Sequence, residues 1–144
     1  MPMSSLMWKT DVIARCAMQY RSQSLAKFGL KSCHASYLLH IYRNPGVSQE
    51  QLAQAIFLNK SSVARQLASL EEDGFVRRVS CETDRRMTCL YVTEKTASLI
   101  PEIEKIMGTW EDVVTEDLTE EERKVLSALL DKMWDSAATF VEQD

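Results

Sequence analysis

The chain has 144 residues, enough for one domain with its own core, and 45% of them are hydrophobic. Only four glycines and three prolines interrupt it, which excludes a collagen-like or low-complexity chain and predicts a mainly helical fold. There is no apolar run of roughly 18 residues and no charged-then-apolar leader, so the expectation is a soluble cytoplasmic protein with no membrane partner.

The net charge of −4 is unevenly spread: residues 1–47 carry +5, residues 48–101 carry 0 and residues 102–144 carry −9. A basic surface can therefore exist on an acidic chain, with the acidic end turned away from any polyanion. The plainer reading of that end is a solvated helix surface.

A first helix is predicted from about Trp8 to about Phe28, where Val12 or Ile13, Cys16, Ala17 and Tyr20 recur at helical spacing and Gly29 marks the break. A second starts near Ser32, carries Tyr37, Leu38, Leu39 and Ile41, and stops at Asn44-Pro45-Gly46. Ser48-Gln49-Glu50-Gln51 reads as a capping box with Val47 and Leu52 as its staple. Asn59 caps the next helix, on which Val63, Leu67 and Leu70 share a face, and Gly74 ends it. Phe75–Val79 and Met87–Val92 read as strands joined by an arginine-rich tip. Thr93 then caps a helix that contains Pro101, which should bend it or weaken one hydrogen bond. Thr119-Glu120-Glu121-Glu122 is a second capping box, opening a last helix with Val125 or Leu126, Leu129, Leu130, Met133, Trp134 and Ala137.

The expected fold is mainly α with a small β-hairpin wing: one domain, 1–144, with a winged helix-turn-helix over about 32–93. Such a unit places one helix in a major groove and a hairpin against the flanking backbone. The flanking helices, about 8–28 and 94–141, are apolar on more than one face. Their simplest use is as the interface of a symmetric homodimer; a larger monomeric core is the alternative.

With Val63 pointing inward and each residue turning about 100°, Ser61, Arg65, Ala68 and Ser69 point outward and Ser62 lies on the flank. Arginine pairs with guanine O6 and N7, and serine bonds bases or phosphates. Arg65 is the expected base reader, with Ser61, Ser62 and Ser69 beside it and Lys60 on phosphate; the alternative is that Arg65 merely balances nearby acids. Arg77 and Arg78 alternate across their strand, so at most one reaches phosphate, and Arg78 is the candidate.

From about Trp8 onward the chain resembles the MarR (multiple antibiotic resistance regulator) family. The resemblance is carried by Leu58-Asn59-Lys60-Ser61-Ser62-Val63, Leu70-Glu71-Glu72-Asp73-Gly74-Phe75-Val76-Arg77-Arg78, Asp84-Arg85-Arg86 and Leu90-Tyr91-Val92-Thr93-Glu94-Lys95. Thr96 and Phe57 stand where glycine is common in such chains. The resemblance implies a homodimeric regulator of transcription. It would bind pseudo-palindromic double-stranded operators and release them on meeting a small phenolic ligand or an oxidant. It also implies that Asp84 braces the hairpin through Arg85 or Arg86 while the other arginine enters the minor groove. Both assignments stay open, with Arg86 the choice for the groove, where narrowness concentrates negative potential.

Four cysteines are present, Cys16, Cys33, Cys81 and Cys89, without a CxxC pair, so neither a metal site nor a cofactor is expected. In a reducing cytoplasm they should be free thiols, Cys81 exposed and oxidisable and Cys89 packed in the hairpin. Cys16-Ala17-Met18-Gln19-Tyr20 resembles the reactive segment of the family's organic-hydroperoxide sensors, in which Tyr20 would hydrogen-bond the thiolate. His34 stands where that branch has a second tyrosine. Cys16 as a small core residue is the alternative. The other route to release is an aromatic acid in a pocket, for which Trp8, Arg15, His34 and Tyr37 are the candidate lining.

No nucleophile–base pair or glycine-rich phosphate loop is present in the sequence, so an enzyme is not expected. A winged module that docks protein is the competing class. It requires an apolar outer face on the helix from Lys60 to Asp73.

Overall fold

A computed structural model describes residues 5–142. Helix α1 (Leu6–Leu25) begins where the Ser5 hydroxyl accepts the Trp8 amide at 3.2 Å. It tightens into a 3₁₀ turn over Ala26–Phe28, and Gly29, at φ 74°, ends it in the left-handed region. The first helix thus starts two residues before the predicted Trp8 and reaches the predicted end at Phe28, with its last turn wound more tightly. Helix α2 (His34–Arg43) starts slightly later than its sequence signal, and its N-cap Cys33 makes no side-chain capping bond.

Helix α3 (Gln49–Ala55) carries the reciprocal capping box. The Gln51 amide donates to Ser48 Oγ at 3.0 Å, and the Ser48 amide donates to Gln51 Oε1 at 3.0 Å. The turn to helix α4 (Lys60–Glu72) is made by Phe57 at φ 54°. A side chain in that region costs about 1–2 kcal/mol, which explains why glycine is common at such a turn. Asn59 Oδ1 accepts the Ser62 amide at 2.8 Å and opens α4. Val63, Leu67 and Leu70 are buried, as the helical spacing predicts.

Strands β1 (Val76–Ser80) and β2 (Thr88–Val92) pair antiparallel, with Val76 opposite Val92 and Ser80 opposite Thr88. A short third edge was not visible in the sequence: Ser48 bridges to Cys89, and the Gly46 amide donates to the Leu90 carbonyl at 2.8 Å. Gly46 sits at φ 85°, and a Cβ there would lie 3.2 Å from the Tyr91 hydroxyl, so only glycine suits the position.

Helix α5 (Glu94–Val114) runs on through Pro101, and helix α6 (Glu120–Glu142) opens on the predicted Thr119–Glu122 capping box. Thr96 is fully buried and its hydroxyl donates to the Phe75 carbonyl at 2.6 Å, a tie that glycine at this position lacks.

The described chain divides into two compact units, one ending at Gly108 and the other beginning at Thr109. In the first unit the core is built from Tyr37, Leu38 and Ile41 of α2, Leu52 of α3, the inner face of α4, Leu90 of β2, and Ile100 and Ile103 of α5. In the second unit α6 buries none of its residues: Leu126, Leu129, Leu130, Met133 and Trp134 all stand exposed. Leu6, Met7, Val12, Ile13 and Met18 of α1 are likewise exposed. Among the described residues, no helix is long and apolar enough to cross a membrane.

Candidate nucleic-acid interface

The outer face of α4 is polar. Lys60, Ser61, Arg65 and Ala68 are exposed, and Ser62 and Ser69 are half-buried on the flanks. The first turn is ordered from within: Ser61 Oγ donates to Asn59 Oδ1 at 3.2 Å, and Arg65 Nη2 donates to Ser62 Oγ at 3.4 Å. Arg65 therefore meets a hydroxyl on its own helix, and no carboxylate pairs with it among the described residues. The reading in which it only balances nearby acids loses its partner. Lys60 Nζ lies 2.7 Å from Glu50 Oε1, and this hydrogen bond holds the Glu50 carboxyl below its ordinary pKa. Both side chains are mostly in solvent, where such a pair is weak and a phosphate can displace it.

Arg78 is paired within the chain. Its Nε and Nη2 donate to Glu71 Oε1 at 3.1 and 3.0 Å, and its own amide donates to Glu71 Oε2 at 3.0 Å. Glu71 is thereby held as a carboxylate, its pKa lowered first by the Arg78 side chain and then by the Arg78 amide. Arg78 is consumed in fastening β1 to the end of α4. Arg77 is the exposed member of the pair and lies over the Tyr91 ring, 5.2 Å from its centroid. Nothing in residue type alone singled out Glu71; its position follows from the tight turn at Gly74.

At the wing, Asp84 meets Arg86. Asp84 Oδ1 accepts the Arg86 amide at 3.0 Å and Arg86 Nε at 3.3 Å. An aspartate readily bonds the amide two residues on, and this Asx turn brings the same arginine's side chain along. Arg86 is the arginine that Asp84 contacts, and its side chain stays 92% exposed. Arg85 is exposed and forms no ion pair among the described residues. The Asx rule was a sequence signal that could have found this.

The four candidate ligand residues fall into two separate pairs. Trp8 lies under Arg15, whose guanidinium is 5.7 Å from the ring centroid and whose Nη2 is 3.9 Å from Asp11. His34 and Tyr37 are core residues, 3% and 1% exposed. Burial drives the His34 pKa down and the Tyr37 pKa up. The Lys31 amide donates to His34 Nδ1 at 3.0 Å, so the ring proton sits on Nε2, 2.9 Å from Gln66 Oε1. His34 thus fastens α2 to α4, a role that sequence reading missed because Gln66 lies 32 residues away. Neither His34 nor Tyr37 lines the open depression that Arg15 forms with Met18, Gln19, Ser22, Gln23 and Ser32.

The cysteines also depart from expectation. Cys16 is exposed in the single chain, outside the core of the first unit, and Tyr20 packs against that core. Cys81 is buried, and it is joined to Cys89 by a disulfide with a Cα–Cα distance of 5.2 Å. The expected exposed Cys81 thiol and merely packed Cys89 are both corrected: the register puts Cys89 opposite Val79, and Cys81, two residues further along, reaches it diagonally. Cys33 remains a free thiol, half-buried at the start of α2.

A family model described as MarR family matches residues 28–87. The HTH-type transcriptional regulator BilQ of Clostridium symbiosum is 34% identical over 109 residues, which is 76% of this chain and 76% of that protein. A crystal structure of MarR shares 30% identity at a TM-score of 0.86, covering 100% of this chain and 99% of that one. The S. aureus MepR–DNA complex is alike in fold, at 22% identity and a TM-score of 0.86, covering 92% of this chain and 98% of that one. The family model, the curated relative and the shared fold agree, and the chain belongs to the MarR family of winged helix-turn-helix transcription regulators.

Proposed function

We propose that the protein is a cytoplasmic homodimeric repressor that binds a pseudo-palindromic duplex operator and releases it on binding a small aromatic acid. The observation that carries this reading is the outer face of α4, where Arg65 stands exposed beside Ser61 with no carboxylate partner among the described residues. Arg65 and Ser61 contact base edges, Ser62 and Ser69 flank them, and Lys60 holds phosphate. Arg85 enters the minor groove while Asp84 and Arg86 keep the tip in shape. The fold shared with MepR, solved bound to DNA, supports the same docking. The apolar outer face needed for a protein-docking module is absent, since the exposed positions of α4 are mainly charged or hydroxylated.

The exposed apolar residues of α1 and α6 support dimerisation, because a lone chain leaves them in water. For release, Arg15 supplies a cation to the depression of about 450 Å³ that it lines with Gln19, Ser22 and Ser32, a chemistry suited to a carboxylate. A second reading is release by an oxidant that modifies Cys16, whose thiol is free and unpaired with another cysteine.

The test is a gel shift with DNA upstream of the protein's own gene, comparing wild type with Arg65→Ala. Loss of a base contact should cost roughly 1–3 kcal/mol per half-site and flatten the preference at one operator position. Unchanged binding by Arg65→Ala removes α4 as the reader.

A further inference from the structure

We propose that Cys81 and Cys89 form a redox-modification site in the wing: the disulfide holds the arginine tip ready for DNA, and its reduction by a dithiol loosens the tip and weakens binding. The effect on DNA rests on the functional reading above; the effect on the tip does not.

Cys81 lies just beyond β1, and Cys89 is the second residue of β2. The bond therefore closes a ring around residues 82–88, the segment that carries Asp84, Arg85 and Arg86. That segment has little else to hold it. Glu82, Thr83, Arg85 and Arg86 are exposed, and the internal ties are the Cys81 amide to the Met87 carbonyl, the Met87 amide to the Asp84 carbonyl, each at 3.0 Å, and the Asp84–Arg86 contacts. At its base the ring is anchored, because Cys89 also bridges to Ser48 at the start of α3.

The cross-link acts locally and is not a staple of the whole fold. Its cysteines are only 8 residues apart, and short loops gain least from closure. The strand pairing from Val76–Val92 to Ser80–Thr88 already brings them together, so the reduced chain keeps the hairpin. Cys89 is partly exposed, which gives a reductant access to the bond. One thiolate of the dithiol attacks Cys89 Sγ, forming a mixed disulfide and expelling the Cys81 thiolate. The second thiol of the donor then displaces Cys89 and closes the donor's own disulfide. Two electrons and two protons pass to the cysteines, and the donor is oxidised by the same amount.

Order matters because Arg85 must be immobilised when it meets the groove. If the backbone of the tip is ordered in advance in the oxidised protein, reduction should weaken operator affinity roughly tenfold per dimer, because that backbone freedom must then be given up on binding.

The experiment uses the full chain, oxidised or treated with dithiothreitol, beside Cys81→Ser/Cys89→Ser. Amide hydrogen exchange of residues 82–88 and operator affinity are both measured. Reduction should speed exchange at the tip and weaken binding, and the double variant should match the reduced wild type and ignore dithiothreitol. Exchange at the tip unchanged by reduction overturns the proposal, whatever the DNA result. Faster exchange with equal operator affinity overturns the coupling to DNA. If neither redox form binds any DNA, the DNA-binding reading fails, while the exchange data still decide whether the disulfide orders the tip.

Discussion

Replacing Gln66 with methionine removes one hydrogen-bond acceptor while nearly keeping the side chain's length. In the native protein His34 is 3% exposed, receives the Lys31 amide on Nδ1 at 3.0 Å and gives its Nε2 proton to Gln66 Oε1 at 2.9 Å. With Gln66 gone that donor is left unsatisfied in a buried site, which costs about 1–3 kcal/mol. Gln66 itself is only half-buried, so water can partly replace it, and the lower half of the range applies. At a urea slope of about 2 kcal/mol per molar, a loss of ~1 kcal/mol lowers the unfolding midpoint by about 0.5 M. The pH dependence has a definite sign. Burial is the main cause that holds the His34 pKa below its ordinary 6.5, with the Lys31 charge acting the same way and the Gln66 bond and Asp73 opposing them. The unfolded chain therefore takes up a proton more readily, so the contribution of neutral His34 is full above 6.5 and is lost as the pH falls below it. Gln66→Met removes an influence that raises the pKa, so its stability should fall further in acid than that of wild type. The assay is urea unfolding at one fixed protein concentration, since assembly shifts the midpoint, across neutral to acid pH, with His34→Leu as the non-titrating reference. An unchanged midpoint for Gln66→Met at neutral pH, or an acid limb no steeper for wild type than for His34→Leu, refutes the assignment of this tie.

Other expectations concern DNA, assembly and signal. Arg85→Ala should weaken operator binding more than Arg86→Ala, and wild-type binding should fall steeply with added salt as counterions are released; fluorescence anisotropy across a salt series measures both, and a salt-insensitive complex contradicts the basic surface. Removing the residues after Thr119 deletes α6 with its exposed Leu126, Leu129, Leu130, Met133 and Trp134. The truncated chain should sediment as monomer or aggregate and lose operator affinity, because the second half-site is no longer tethered to the first; a soluble dimer would place the interface elsewhere. Cys16→Ser should still bind DNA and respond to salicylate-like acids as wild type does. Hydroperoxide-driven release seen in wild type and lost in Cys16→Ser would favour the oxidant reading over the ligand.

The local punctuation of this chain was legible in its sequence. Ser48 with Gln51, Thr119 with Glu122, and Asn59 with Ser62 bond across three residues of a single helical turn, so their spacing predicts the contact directly. Gly74 at φ 81° and the buried face of Val63, Leu67 and Leu70 follow from backbone sterics and helical period in the same way. The outward direction of Arg65 follows too, since it is fixed by the helix that carries it.

What tertiary structure decided is which side chains remain available. Arg78 and Arg85 have equal charge in the sequence, yet one is bonded twice to Glu71 and the other stands exposed. His34 had the composition of a ligand residue and became a strut, because the partner that satisfies it lies on another helix. Cys81 and Cys89 read as separate thiols in the sequence, and the folded hairpin brings their Cα atoms within 5.2 Å on a diagonal across its two strands. The physical reason is common to all three. A helix cap is settled within one turn of chain, whereas the partner of a long polar side chain or of a thiol is settled only when the packing of distant segments brings two groups within bonding distance.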